Sequence, residues 1–203
     1  MPNDRFLCQT LAMSEPTLAP PGAGLPAPEA FVIRRLVFPV LQMRLSKSRS
    51  LELFKKSGET ILPLVSDLDL TTFTTPVLIK RLPGLEDSSR NWSVEQTLEH
   101  IQIVTAAALY IIKKLESNRP LDLPVRTQDV KPSGGIGLDR LRSFGQYLEE
   151  TPKKIAQFEF TSQATHHHPW FGELTSLDWL RLIAFHQDLH RKQIERILAP
   201  ASC

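Results

Sequence analysis

Residues 91–117 carry apolar side chains on two faces of one helix, and this pattern restricts the chain to a helical bundle. One stripe is Leu98, Ile101, Thr105, Ala108, Ile112 and Leu115, at spacings of three and four. The other is Gln96, His100, Val104, Ala107 and Ile111. A helix apolar on one face can lie on a surface, whereas one apolar on two must pack between neighbours. His100 therefore points inward, and Glu95, Glu99 and Gln102 are expected to face solvent or a groove. Asn91 or Ser93 can cap the helix start, with Glu95 and Gln96 in its first turn.

Other segments can supply the neighbours. Residues 50–68 set Leu51, Phe54, Ile61, Leu64, Val65 and Leu68 on related turns, with Gly58 and Pro63 as weak points. Residues 138–158 do the same with Leu138, Leu141, Phe144, Leu148, Ile155 and Phe158, and Thr151-Pro152 is expected to break or kink that helix. The last helix starts at Thr175 or Ser176, where Thr175 and Asp178 form a capping box, and ends near Leu198 before Pro200. Residues 30–45 add a short or kinked helix with Pro39 in its middle. Residues 69–90 and 118–137 are rich in turn formers and are expected as long connections, and a polar loop leads to His166-His167-His168.

The expected organisation is an all-α, up-and-down four-helix bundle over residues 29–203, with an extra N-terminal helical segment. Residues 1–28, punctuated by Pro16, Pro20, Pro21, Pro26 and Pro28, are expected to form a disordered tail, and Met13 is an alternative start. A length of 203 residues with 41% hydrophobic side chains suits one core rather than two.

Composition removes several classes of function. The net charge is +2 with both signs interspersed, and no Lys/Arg stripe offers a nucleic acid its phosphate contacts. Cys8 and Cys203 form neither a disulfide framework nor a C-x-x-C pair, which fits a reducing, cytoplasmic setting. The apolar run from Ala30 to Leu45 is interrupted by Arg34, Arg35 and Arg44, so no membrane partner is expected. A surface-lying amphipathic helix there is the weaker reading, because its polar face is not clean.

The chemistry lies in the histidines. His186 and His190 sit four residues apart on the apolar face of the last helix, with Ile183, Gln193 and Ile197. That spacing rotates by about 40° and rises ~6 Å, so both imidazoles can reach one point. With His100 from another helix they offer three nitrogen ligands to one divalent metal, leaving room for water or substrate. The competing reading makes each a core histidine bonded to backbone. Zinc is the first choice of metal, with nickel or iron next, because imidazole suits all three. Gln96, Gln193, His168 and Trp170 are candidates for a substrate pocket or for support of the ligands. Gln187 stands where a His-Glu-x-x-His protease needs its glutamate. Thr97, Ile183 and Gln187 stand where di-iron bundles carry theirs.

Trp92-Ser93-Val94-Glu95-Gln96-Thr97-Leu98-Glu99-His100-Ile101, followed by His186-Gln187-Asp188-Leu189-His190-Arg191-Lys192-Gln193, resembles the DinB/YfiT-like superfamily. His168-Pro169-Trp170-Phe171-Gly172 looks like one branch of it. The resemblance implies a four-helix bundle, often a homodimer, with a divalent metal on His100, His186 and His190. It further implies a metal-dependent enzyme that activates water or a low-molecular-weight thiol, for transfer to or hydrolysis of a small electrophilic substrate. The alternative is a non-catalytic metal-binding bundle serving dimerisation or stress-related binding.

Overall fold

The computed structural model describes residues 17–119, 121 and 124–199. The helices are α1 (Ala27–Val32), α2 (Phe38–Arg44), α3 (Lys47–Val65), α4 (Leu70–Thr74), α5 (Val94–Glu116), α6 (Asp139–Ala156) and α7 (Ser176–Ile197). Two small antiparallel hairpins join them, β1 (Val77–Leu78) with β2 (Asn91–Trp92) and β3 (Thr165–His168) with β4 (Gly172–Thr175).

The long helices start where side chains can satisfy their free amides. Ser46 accepts from Arg49 N–H at the start of α3. Ser93 with Gln96, and Thr175 with Asp178, close reciprocal capping boxes on α5 and α7. Pro152 lies inside α6, which runs on without the expected break. Gly58 is not a weak point either, because a Cβ there would meet Leu148 Cδ2 at 2.3 Å. A larger residue there would force the Leu148 side chain to move, so the glycine suits the close approach of α3 and α6.

Helices α3, α5, α6 and α7 form the bundle, but not in up-and-down order. In that order each helix packs on its sequence neighbours. Here α3 packs chiefly on α7 and α6, and α5 on α7 and α6. The long connections at residues 66–93 and 157–175 give the chain the reach to cross the bundle diagonally. The N-terminal segment lays α2 against α7, with Phe38 in the core and its ring 5.0 Å from Phe171. Pro39 does not break this segment, because the turn before it widens into a π-turn at Ile33–Val37. That widening accommodates the ring and the missing N–H.

The expected tail through Pro16 lies outside the described residues. Thr17 to Pro26 differ from the expectation of disorder, since backbone amides here are bound by side chains of the fold. Gly22 and Gly24 donate to Glu86 Oε1 at 2.9 and 3.0 Å, and Ala19 donates to Asp87 Oδ2 at 2.9 Å. Both glycines have positive φ, +85° and +79°, which turns two amides onto one carboxylate.

The buried apolar side chains fall into two clusters. One includes Phe38, Ile111, Ile112, Leu115, Trp179 and Ile183. The other includes Ile61, Val65, Leu98, Ile101, Phe144 and Ile194. Along α5 and α7 a buried polar layer separates them, made of His100, Thr105, Gln187 and His190. Tyr147 of α6 joins it, donating to Gln187 Oε1 at 2.7 Å and bonded to Thr105 Oγ1 at 3.0 Å. Gln187 Nε2 in turn donates to the Phe54 carbonyl at 2.5 Å, so this glutamine ties α3, α6 and α7 together.

Glu95 and Glu99 are buried, not solvent-facing. They accept the backbone amides of the 131–137 loop: Glu95 from Ile136 and Gly137, both at 2.7 Å, and Glu99 from Ser133 and Gly134 at 3.0 and 2.6 Å. Charge-assisted bonds of this kind contribute about 1.5–3 kcal/mol each. Replacing Glu99 by Ala should therefore lower the unfolding free energy by about 2–4 kcal/mol in urea titration. A change below about 0.5 kcal/mol would show that the loop is not held this way.

Candidate metal centre

His100 on α5 and His186 and His190 on α7 are brought to one point. His186 Nε2 lies 3.1 Å from His100 Nε2 and 3.0 Å from His190 Nε2, and the three ligand atoms all fall within 4.8 Å of one another. The other ring nitrogen fixes the tautomer in two of the three. His100 Nδ1–H donates to the Val130 carbonyl at 2.7 Å. His190 Nδ1–H donates to Gln193 Oε1 at 2.7 Å, and Gln193 Nε2 donates to the Ser89 carbonyl at 2.8 Å, which settles which way that amide points. Neutral rings with the proton on Nδ1 present bare Nε2 lone pairs. Two such lone pairs converge here, and His186 Nε2 can donate one hydrogen to only one of them at a time. A cation suits this arrangement, since it would engage all three nitrogens, and the buried His186 Nδ1 has no partner among the described residues, so this ring alone is not held from behind.

Surroundings keep the rings neutral. Burial pushes His100 down to about 4, helped by the charge of Lys131 and opposed by its bond to Val130. Burial likewise holds His186 and His190 well below the usual histidine range, and each is further disfavoured by its neighbouring imidazoles. Trp92 packs on the cluster, its ring 6.1 Å from His190 in a stacked geometry and 4.9 Å from His100. Lys131 Nζ lies over the other side of the assembly, 5.2 Å from the Trp92 ring, and pairs with Glu86 at 2.6 Å.

A cavity of about 290 Å³ opens beside the imidazoles. Its walls are mainly apolar, with Val104, Ala107, Ile111, Leu182 and Leu189 among them, and Arg126 and Lys131 also border it. His168 and Trp170 line it. The expected loop around them is the β3–β4 hairpin, and strand alternation sorts the histidine triplet. His166 and His168 border the cavity, whereas His167 is exposed and pairs with Glu173 at 2.9 Å. Burial pushes His168 down to about 3, with a smaller push from His167.

Gln193 stands behind His190, fully buried, as a positioning group. Gln96 does not reach the cavity. Its side chain is spent on the capping box, accepting from Ser93 N–H at 3.0 Å, and it borders a separate hollow with Glu95, Ser133 and Gly134. The sequence reading did not include the Val130 and Ser89 carbonyls, and it carried Trp92 as part of the family motif without its packing on the imidazoles. Backbone carbonyls carry no residue-type signal, and the packing of Trp92 could have been found from its place two residues before the α5 start.

Two outcomes follow. Gln193→Leu leaves His190 Nδ1–H and the Ser89 carbonyl unpaired in the core and should cost about 1–3 kcal/mol in chemical denaturation, and no change would remove the assigned role. The second concerns pH in metal-free protein. A histidine whose folded pKa is depressed binds fewer protons folded than unfolded, so stability is full above pH 6.5 and falls as pH drops from there toward about 4. The limiting slope is about 1.4 kcal/mol per pH unit for each such histidine, and a flat profile between pH 6.5 and 5 would contradict the burial.

The family profile described as the DinB superfamily matches residues 52–194. A solved structure, "Crystal structure of TT2238, a four-helix bundle protein", aligns with a TM-score of 0.52 and 19% identity, covering 74% of this chain and 98% of that one. That likeness concerns the fold alone. No curated protein matches the chain. The matched span contains all three converging histidines and most of the four bundle helices, and the chain belongs to the DinB superfamily.

Proposed function

We propose that this protein is a metal-dependent enzyme in which His100, His186 and His190 hold one divalent cation, zinc first and nickel or iron next, at the inner end of the apolar cavity. The observation that carries the reading is the convergence of three histidine ligand atoms within 4.8 Å, two of them on buried residues, beside a cavity of about 290 Å³. Bound there, the ion would supply Lewis acidity, lowering the pKa of water or of a low-molecular-weight thiol toward neutrality. The partners are then a small electrophilic substrate and such a thiol, in transfer or hydrolysis, with a cytoplasmic setting. No described helix is long and apolar enough to cross a membrane.

The chain's own residues do the positioning. Val130 and Gln193 hold two imidazoles with Nε2 forward, and Trp92 fixes their planes. The apolar walls exclude bulk water, which strengthens electrostatic interactions inside the cavity. A purely structural metal site closes with a fourth protein ligand. Among the described residues the candidate group contains three histidines and no fourth ligand, which favours the open, catalytic arrangement over the non-catalytic one.

Elemental analysis of purified protein beside the His186→Ala variant tests the site. About one equivalent of metal in the first and little in the second is expected, whereas equal content would remove the proposal. Added zinc should raise the unfolding free energy by about 4 kcal/mol at a thousandfold excess over Kd, and His186→Ala should lose that response. Thiol consumption with a panel of electrophiles, dependent on metal, separates the enzyme from a binding protein.

A further inference from the structure

Two buried ring N–H groups stand in the largely apolar wall of the cavity, apart from the three converging imidazoles. Trp179 on α7 is 3% exposed, and its indole N–H is buried with no hydrogen-bond partner among the described residues. His168 at the end of β3 is 8% exposed and borders the same cavity. The Trp170 backbone N–H donates to His168 Nδ1 at 3.1 Å, so the neutral ring carries its proton on Nε2. The His168 and Trp179 rings lie 5.5 Å apart. Both groups therefore offer donors, and neither carries charge.

A buried donor without a partner is costly, and natural cores rarely keep one. A hydrocarbon filling the cavity would leave the indole N–H unpaired. An anion would need charge to offset its desolvation, yet of the two cations bordering the cavity Lys131 is committed to Glu86 and Arg126 is exposed to solvent. A neutral oxygen acceptor meets both conditions. We propose that Trp179 Nε1–H and His168 Nε2–H form a subsite for a carbonyl oxygen of an otherwise apolar substrate, of the size of two small rings. Binding at this subsite depends on the cavity alone; its use in catalysis rests on the metal-dependent reading above. His168 and the three converging imidazoles line the same cavity.

Equilibrium dialysis with benzophenone and diphenylmethane tests the subsite, since the two probes share both rings and differ at one carbon. The measurement uses the full chain, both zinc-loaded and chelator-treated, with zinc content recorded for each sample. Trp179→Phe is expected to weaken benzophenone about tenfold and to leave diphenylmethane within about twofold. His168→Leu should act in the same direction, and the double variant should no longer distinguish the probes. Equal loss of both probes in Trp179→Phe would make the indole a packing group and overturn the proposal, as would failure of the wild-type protein to bind benzophenone. Zinc binding separates the two readings. Probe discrimination without zinc uptake leaves the subsite standing and removes the metal, and zinc uptake without discrimination does the reverse.

Discussion

Three imidazoles meet edge to edge in the middle of this bundle, and their tautomers are set from behind. Val130 takes the Nδ1 proton of His100, and Gln193 takes that of His190. Each bond turns a bare Nε2 inward, where lone pairs would otherwise repel. The arrangement costs desolvation at every ring, which is why burial depresses the pKa of all three. On the proposed reading, a cation shared among them would offset that cost through coordination, which would account for a polar layer in the core.

The rest of the fold keeps that layer in place. Above and below it two apolar clusters clamp α5 against α7. At its flank Gln187, Tyr147 and Thr105 consume their own polar atoms. The loop that carries Val130 is itself moored by Glu95 and Glu99, two buried carboxylates on the same helix as His100. The helix that supplies one imidazole thus also holds the loop that orients it. On the other side, Glu86 gathers Lys131 and the amides of Gly22 and Gly24. The N-terminal strap, the 131–137 loop and the segment leading into α5 are joined at that one carboxylate.

Much of the site was legible because helical spacing is local. The i, i+4 pair on α7, the inward stripe holding His100, and the capping boxes at Ser93 and Thr175 all follow from periodicity and residue type. What was not legible depends on contacts distant in sequence. Glu95 and Glu99 read as facing solvent or a groove because their partners are backbone amides of a loop some forty positions downstream, about which the local pattern is silent. Gln96 read as a pocket group by stripe membership, but its place at the third helical position spent it on the cap. Pro152 read as a break or a kink, yet it sits inside a continuous helix, whereas Pro39 lies in a short helical segment as read, after a wider turn. The diagonal order of the bundle was hidden for the same reason, since connection length permits a crossing without requiring one.

X-ray absorption at the zinc edge of the reconstituted protein addresses the central claim most directly. Three imidazole nitrogens at about 2.0–2.1 Å, with the remaining coordination from lighter exchangeable ligands, is the predicted spectrum. A shell of sulfur at about 2.3 Å, or oxygen scatterers without the imidazole signature, would contradict it.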